Sequence, residues 1–447
     1  MQRMEKVIVR YAPSPTGIPH IGNIRTALYN FLLAKKENGK FILRIEDTDR
    51  KRFVPESVQA IEDSLGVLGL NWDEVYRQSE RLSIYQRDLE LLAKKGLAYE
   101  DSGAWRFKVE KGKNLKWSDL VHGQIEFTAD VIEDFIIVKS DGYPTYHFAS
   151  VVDDHDLKIS HVLRGDEWIS STPKHLLLYQ AFGWNPPHFI HVPAILGPDK
   201  KKLSKREGAR SVLEYVEDGY LPEALVNFLA LLGWSPKGDR ELFTLNELIA
   251  EFSIERLNKN SPIFNLEKLN WFNRKYLQQL SIEGLVSQIK TFYSSRERSE
   301  SRSPSTSSSL SNLGVEDLSS RPNGSRQSRT ITDQKLSKIL TLIRDRMTTL
   351  ADFDKYSGIF FEKGKQNSPA KEKTRQVKEA VQKIGKWDEK TIENSLEKYI
   401  RENNLNPSDF KNTLRLAVFA DNTPPIYQSL AVLEKDEVIS RIDEAIK

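Results

Sequence analysis

The chain has 447 residues with 66 basic and 63 acidic side chains, a net charge of +3. That length suits roughly two to four domains, and the charge balance neither marks nor excludes a nucleic-acid partner. The absence of cysteine excludes disulfides and thiolate metal sites; no apolar run approaches the ~18–20 residues of a membrane span and no secretory apolar core opens the chain, so a cytoplasmic protein without a membrane segment is expected.

KVIVRY (6–11) reads as a short buried strand, and IRTALYNFLLAKKENG (24–39) as a helix stopping at Gly39. KFILRIED (40–47) reads as a second strand and PESVQAIEDSLGVLGL (55–70) as a second helix, with Pro55 in its first turn. Strands alternating with helices predict a parallel sheet with crossover helices, an α/β catalytic fold. From 97 to 140 the character changes to turn-rich strand patterns, which suggests an insertion splitting that fold. Alternation returns over 141–210, with SHVLRGDEWISSTPKHLLLYQAFGW and HFIHVPAIL, and ends in the loop GPDKKKLSKREGARSV.

Residues 211–290 have helical periodicity (EALVNFLALLGW, LNELIAEF, LEKLNWFNRKYLQQL), and so does the C-terminal part of 291–447 (KLSKILTLIRDRM, TIENSLEKYIREN, DEVISRIDEAI). Between them, 294–330 is dominated by Ser and Arg. It has too little apolar surface to offset its chain entropy and reads as a disordered loop, with an arginine-rich RNA-contacting arm as the alternative.

Two stretches carry chemistry. In YAPSPTGIPHIGN (11–23) prolines and glycines restrain a strand-to-helix turn, and His20 falls near the helix N-terminus, where backbone N–H groups and the helix dipole favour an anion. An ordinary turn with a surface histidine fits the same residues. In KKKLSKR (200–206) four lysines and an arginine form a cationic segment suited to a polyphosphate, or a plain solvated loop. No G-x-x-x-x-G-K-[ST] P-loop is present. His188 and His191 lie close in sequence without an evident third metal ligand.

Together, His-Ile-Gly at 20–22 and Lys-Leu-Ser-Lys-Arg at 202–206 resemble the two signatures of class I aminoacyl-tRNA synthetases. RYAPSPTGIPHIGNIRTALYN, ILRIEDTDR, YRQSERLSIYQ, the stretch from KSDGYPTYHFASVVDDHD to LLLYQAFGW, and GYLPEALVNFLALLGWSP resemble bacterial-type glutamyl-tRNA synthetases. The resemblance is dense from residue 7 to about 280. It implies a Rossmann-like parallel-sheet catalytic domain in two parts (1–96 and 141–210), an acceptor-stem-binding insertion (97–140), a stem-contact helical region (211–290) and an all-α anticodon-binding domain (291–447). It also implies ATP and L-glutamate as substrates, Mg²⁺ with the ATP, tRNA(Glu) as partner with tRNA(Gln) left open, and a monomer.

By the same resemblance His20, Lys202 and Lys205 are catalytic. Arg10, Ala12, Ser14, Glu46, Tyr146, Ser150 and Arg164 hold glutamate, with 146–150 as one substrate-facing segment. His20, Gly22, Glu167, Ile195 and Lys205 serve ATP, and Arg344 and Arg346 lie near where the family reads the anticodon. The chain departs from the pattern at Asn23 for the second signature His, at Leu203 and Arg206 within the lysine signature, and at Ser150 where Asn is common. Some relatives have a Cys-rich zinc site in the insertion; here there is no Cys and His122 stands alone, so no structural zinc is expected. Glutaminyl-tRNA synthetase, a truncated tRNA-modifying relative, a nucleotidyltransferase and an inactive RNA-binding protein are the competing readings. The APSPTG segment, the helical C-terminal part, the insertion and the joint presence of His20, Glu46, Arg164, Lys202 and Lys205 weigh against them in turn.

Overall fold

The computed structural model describes the chain apart from residues 1–5, 202, 204–207, 301–331, 362–369 and 422–423. The chain forms two compact units, Met1–Val216 with Pro222–Phe272, and Glu217–Leu221 with Asn273–Lys447.

In the first unit β1 (Ile8–Tyr11), β2 (Lys40–Ile45) and β3 (Glu74–Arg77) pair in parallel in that order. Two helices, α1 (Ile21–Lys36) and α2 (Pro55–Val67), make the crossovers. The apolar residues of β1 and β2 are almost wholly buried, as strands covered on both faces require. Helix α1 starts at Ile21, ahead of the predicted Ile24, because His20 caps it. At its far end Asn38, not Gly39, takes the left-handed turn (φ 50°). Gly39 serves close approach instead, since a Cβ there would collide with the Val7 carbonyl. The next helix, α3 (Leu82–Lys94), and β3 were not read from the sequence; β3 is only 4 residues long, too short for a periodicity window.

Residues beyond α3 build two structures. β4 (Ala98–Asp101), β5 (Ala104–Phe107) and β8 (Phe135–Val138) form a separate antiparallel sheet. The hairpin of β6 (Asn114–Asp119) and β7 (Gly123–Thr128) instead extends the second parallel layer. There β9 (His161–Gly165) pairs in parallel with β10 (His188–Val192), which meets β6 through Phe189 and Asp119. The halves are stitched where the Ser160 N–H donates to the Ile8 carbonyl at 2.9 Å and the Ile8 N–H donates to Ser160 Oγ at 2.8 Å, so β1 lies beside β9. Helices α4 (Tyr146–Asp156) and α5 (Thr172–Phe182) flank β9. The result is a Rossmann-like α/β fold with a parallel sheet. The helices Val212–Glu217, Pro222–Leu231, Leu245–Glu251 and Leu266–Gln279 follow.

The second unit is helical. Asp333–Ile343, Glu389–Glu402 and Pro407–Phe419 have side-chain N-caps from Thr332, Asp388 and Asn406, and each buries one apolar face. The stretch 294–300, expected to open a disordered loop, is helical: it continues the helix Ile282–Glu300, since extending an existing helix costs far less than nucleating one. The expectation for 301–330 lies outside the described residues.

Candidate active site

A cavity of about 560 Å³ opens at the carboxyl ends of β1, β2 and β9, where open α/β sheets place ligands. The loop leaving β1 is tied to the end of β2, because the Glu46 N–H donates to the Pro13 carbonyl at 3.0 Å. That bond brings Arg10, Ala12 and Ser14 onto the same wall as Glu46.

Behind this wall is a buried charge network. Arg44 and Glu46 stand two apart on β2 and its end, so they share a face. Arg44, fully buried, donates from Nη1 to Asp154 Oδ1 at 2.6 Å, and from Nη2 to Glu46 Oε1 at 3.0 Å and to Ser150 Oγ at 3.3 Å. Arg10 Nε donates to the same Asp154 Oδ1 at 3.0 Å. One helical position earlier, Asp153 accepts from Gln78 Nε2 at 2.9 Å, Arg81 Nε at 2.8 Å and Tyr85 Oη at 2.8 Å. Burial works against ionisation of Asp154, but Arg10 and Arg44 outweigh it and hold the carboxyl below the usual carboxylate range. At Glu46 burial wins over Arg44 and Arg10, and the carboxyl is pushed up. Glu46 thus faces the cavity with its proton held more tightly than an ordinary carboxyl holds one.

Arg164 closes the opposite side. Its Nη1 donates to Tyr146 Oη at 2.9 Å, Nη2 to Thr172 Oγ1 at 2.8 Å, and Nε to His191 Nε2 at 3.1 Å. Tyr146 packs on Trp168 with ring centroids 4.5 Å apart, and burial raises its phenol pKa so that the hydroxyl stays protonated. His175 Nδ1 lies 3.5 Å from Arg164 Nη1, and its Nε2 is 3.2 Å from His147 Nδ1. Burial first, with Arg164 and other cations adding, pushes His175 well down and His147 down to about 4. Both rings are neutral at pH 7, as neighbours of a buried guanidinium must be.

The rim is made by the N-terminus of α1. His20 Nδ1 accepts from the Gly22 N–H at 3.0 Å, and Asn23 Oδ1 accepts from the His20 N–H at 3.3 Å, a reciprocal capping box. This gives Asn23 a definite role that sequence reading left open. Gly22 is required for it: a Cβ there would lie 2.9 Å from His20 Cε1. With Nδ1 accepting, the proton of neutral His20 sits on Nε2, and the helix dipole adds positive potential at the same place.

Of the sequence-derived candidates, Arg10, Ala12, Ser14, His20, Glu46, Tyr146, Arg164 and Glu167 all line the cavity. Ser150 is buried behind it on Arg44, so the segment 146–150 is a helical turn that presents Tyr146 and turns Ser150 inward. Gly22 and Ile195 are neighbours beneath the rim. Lys202 and Lys205 lie outside the described residues. Arg344 and Arg346 form a short turn in the second unit, with Arg346 over the Tyr356 ring at 5.1 Å. His188 faces the His161 ring, whereas His191 is buried against Asp119. No group of three or more His, Asp or Glu among the described residues is arranged to hold a metal ion, and no helix among them is long and apolar enough to cross a membrane. Sequence reading missed Arg44, Asp154, Asp119, His175 and the role of His191. The available signals were a charge alternating with apolar residues in FILRIE and adjacent acids ending the apolar run FASVV.

This parallel-sheet fold, with a histidine-capped helix beside a charged cavity, places the chain among α/β proteins that take ligands at the carboxyl ends of their strands. The profile of tRNA synthetases class I (E and Q), catalytic domain, matches residues 6–105 and 100–271, and that of an anticodon binding domain matches 314–446. The chain is 37% identical to a glutamate–tRNA ligase of Dehalococcoides mccartyi, over 99% of this chain and 98% of that one. It is 38% identical to glutamate–tRNA ligase 2 of Fervidobacterium nodosum, over 100% and 97%. A crystal structure of a glutamate tRNA ligase from Elizabethkingia meningosepticum, in complex with its amino acid, superposes with a TM-score of 0.85 at 30% identity, covering 99% of both chains. The chain belongs to the glutamate–tRNA ligase family of class I tRNA synthetases.

Proposed function

We propose that the chain is an ATP-dependent ligase that charges tRNA with L-glutamate. The α-carboxylate of glutamate attacks the α-phosphate of ATP, giving glutamyl-adenylate and pyrophosphate. The 2′-hydroxyl of the terminal adenosine of tRNA then attacks the activated carbonyl, and AMP leaves.

The observation that carries this reading is the charge layout of one cavity. A fixed guanidinium, Arg164, stands on one wall and a carboxyl, Glu46, on another. An amino acid with a second carboxylate complements both. Arg164, with Tyr146, reads the side-chain carboxylate through a planar fork that an amide cannot satisfy equally. Glu46 takes the α-ammonium, and Arg10, Ala12 and Ser14 hold the main chain, with Ser150 acting on them through Arg44. At the rim His20 donates from Nε2 to the phosphate oxygens as charge develops, aided by the α1 dipole. Gly22, Glu167 and Ile195 line the nucleotide side, and Lys202 and Lys205 meet the leaving pyrophosphate. The donors at the rim are N–H groups, which suit phosphate oxygens rather than a cation, so Mg²⁺ would be carried by the ATP phosphates themselves.

The domain division read from the sequence, anticodon contact by Arg344 and Arg346, cytoplasmic location and a monomeric state are parts of the same proposal. Charging assays with labelled glutamate on tRNA(Glu) and tRNA(Gln) test it: acceptance on tRNA(Glu) is expected, and no glutamate acceptance on either tRNA would refute it.

A further inference from the structure

One buried side chain comes from outside the catalytic strands. Asp119 ends β6 and is 2% exposed; His191 on β10 is fully buried. Asp119 Oδ1 accepts from the backbone N–H groups of Val121 and His122, both at 3.0 Å, so the turn into β7 fixes the carboxylate. Its Oδ2 lies 2.6 Å from His191 Nδ1. On the other side of that ring Arg164 Nε, which can only donate, lies 3.1 Å from His191 Nε2. The proton must therefore be on Nδ1, directed at Asp119, and Nε2 must be the acceptor.

We propose that Asp119 and His191 are positioning residues that set the guanidinium plane of Arg164, and through it the selection of a side-chain carboxylate. Asp119 fixes the tautomer of His191, His191 anchors the Nε edge of Arg164, and the Nη edge, held by Tyr146, Thr172 and the Trp168 carbonyl, faces the cavity. The inference rests on the reading of Arg164 as the carboxylate reader. The charged and titratable groups around His191 are Arg164, Asp119, His122 and His175. Burial pushes its imidazole down despite the bond to Asp119, which keeps Nε2 unprotonated. Asp119 is held low by that bond and the two amides, against its own burial.

The chemistry predicts what each change does. In Asp119→Asn the amide cannot accept from both the turn and the ring. If its NH₂ faces the ring, the His191 proton moves to Nε2 and opposes the Arg164 N–H. If its NH₂ faces the turn, it opposes the two backbone amides. A glutamine at 191 would place an amide oxygen near the position of Nε2 and accept from Arg164 without needing a tautomer.

The test is glutamate-dependent ATP–pyrophosphate exchange with the full chain and tRNA, alongside thermal melts. Asp119→Asn is expected to raise KM for glutamate about 10-fold or more with KM for ATP within about two-fold of wild type, and Asp119→Asn/His191→Gln to recover most of the loss. A folded Asp119→Asn with unchanged KM for glutamate, or a double variant with no recovery, overturns the proposal. Should Asp119→Asn not fold, His191→Leu against His191→Gln makes the same comparison: only the first is expected to raise KM. Arg164→Ala separates the two levels. If it leaves KM for glutamate unchanged, the reading of Arg164 itself falls; if it raises KM while the Asp119 and His191 variants do not, only the positioning role falls.

Discussion

The two sides of the cavity are built on opposite principles. The wall of Arg10, Arg44, Asp154 and Glu46 is buried and cross-linked by ion pairs reaching 144 and 110 residues along the chain. The rim at His20 is solvent-exposed; its capping box is made by local bonds, between residues 2 and 3 apart, with a long-range tie where the Ile21 N–H donates to the Arg210 carbonyl at 3.0 Å. Buried charges cannot be stable unless geometry and partners are fixed, so the wall presents one shape, as the proposed selection of glutamate requires. An exposed helix terminus directs the positive end of its dipole at solvent even with its first N–H groups paired, so on the proposed reading the rim accepts phosphate without specifying much else.

The sharpest way to break this contrast is at the wall. Asp154→Ala leaves two buried guanidiniums without their shared carboxylate and is expected to cost about 3–5 kcal/mol of stability, read by denaturant unfolding. A loss below about 1 kcal/mol would mean the network is not a fixed scaffold. The pH dependence has a definite sign. Because the folded-state pKa of Asp154 is depressed, its contribution is fully present above the ordinary carboxylate range. It is lost as pH falls through the folded value.

At the rim the expectation is reversed: rate should change and stability should not. His20→Asn keeps an oxygen able to cap α1 but removes the Nε2 donor. Exchange is expected to slow about 10²-fold with the melting temperature and KM for glutamate near wild type. Equal losses in both would show that His20 is only a cap.

A smaller effect comes from Glu46, whose raised pKa means that it protonates earlier than an ordinary carboxylate as pH falls. KM for glutamate is expected to rise on acidification before the pH reaches the ordinary carboxylate range, and Glu46→Gln to raise KM throughout and flatten the profile. The smallest effect lies away from both regions. Ala420 holds a left-handed helix C-cap at φ 53°, so Ala420→Gly is expected to stabilise the second unit by about 1 kcal/mol and leave exchange unchanged.

The rim was the legible half. Its residues lie within a dozen positions of one another, the prolines and glycines announce a restrained turn, and the motif order supplies the role proposed for His20. Only Asn23 needed coordinates, because a capping box is a matter of side-chain direction. The wall was legible only where residues face the cavity. Arg10, Glu46 and Arg164 stood in recognisable stretches. Arg44, Asp154, Asp119 and His191 act through partners brought together by the sheet, such as Asp119 and His191, 72 residues apart. Nothing in the local sequence distinguishes such a residue from a strand-end charge or a spare histidine. The same limit explains Ser150, placed with the substrate by its motif but turned by the helix onto Arg44.

The most direct measurement is ATP–pyrophosphate exchange with L-glutamate and L-glutamine in parallel, in the presence of tRNA. A wall that reads a carboxylate through Arg164 predicts exchange with glutamate and a kcat/KM for glutamine lower by about 10³ or more. Comparable exchange with the two amino acids, or preference for glutamine, would contradict it.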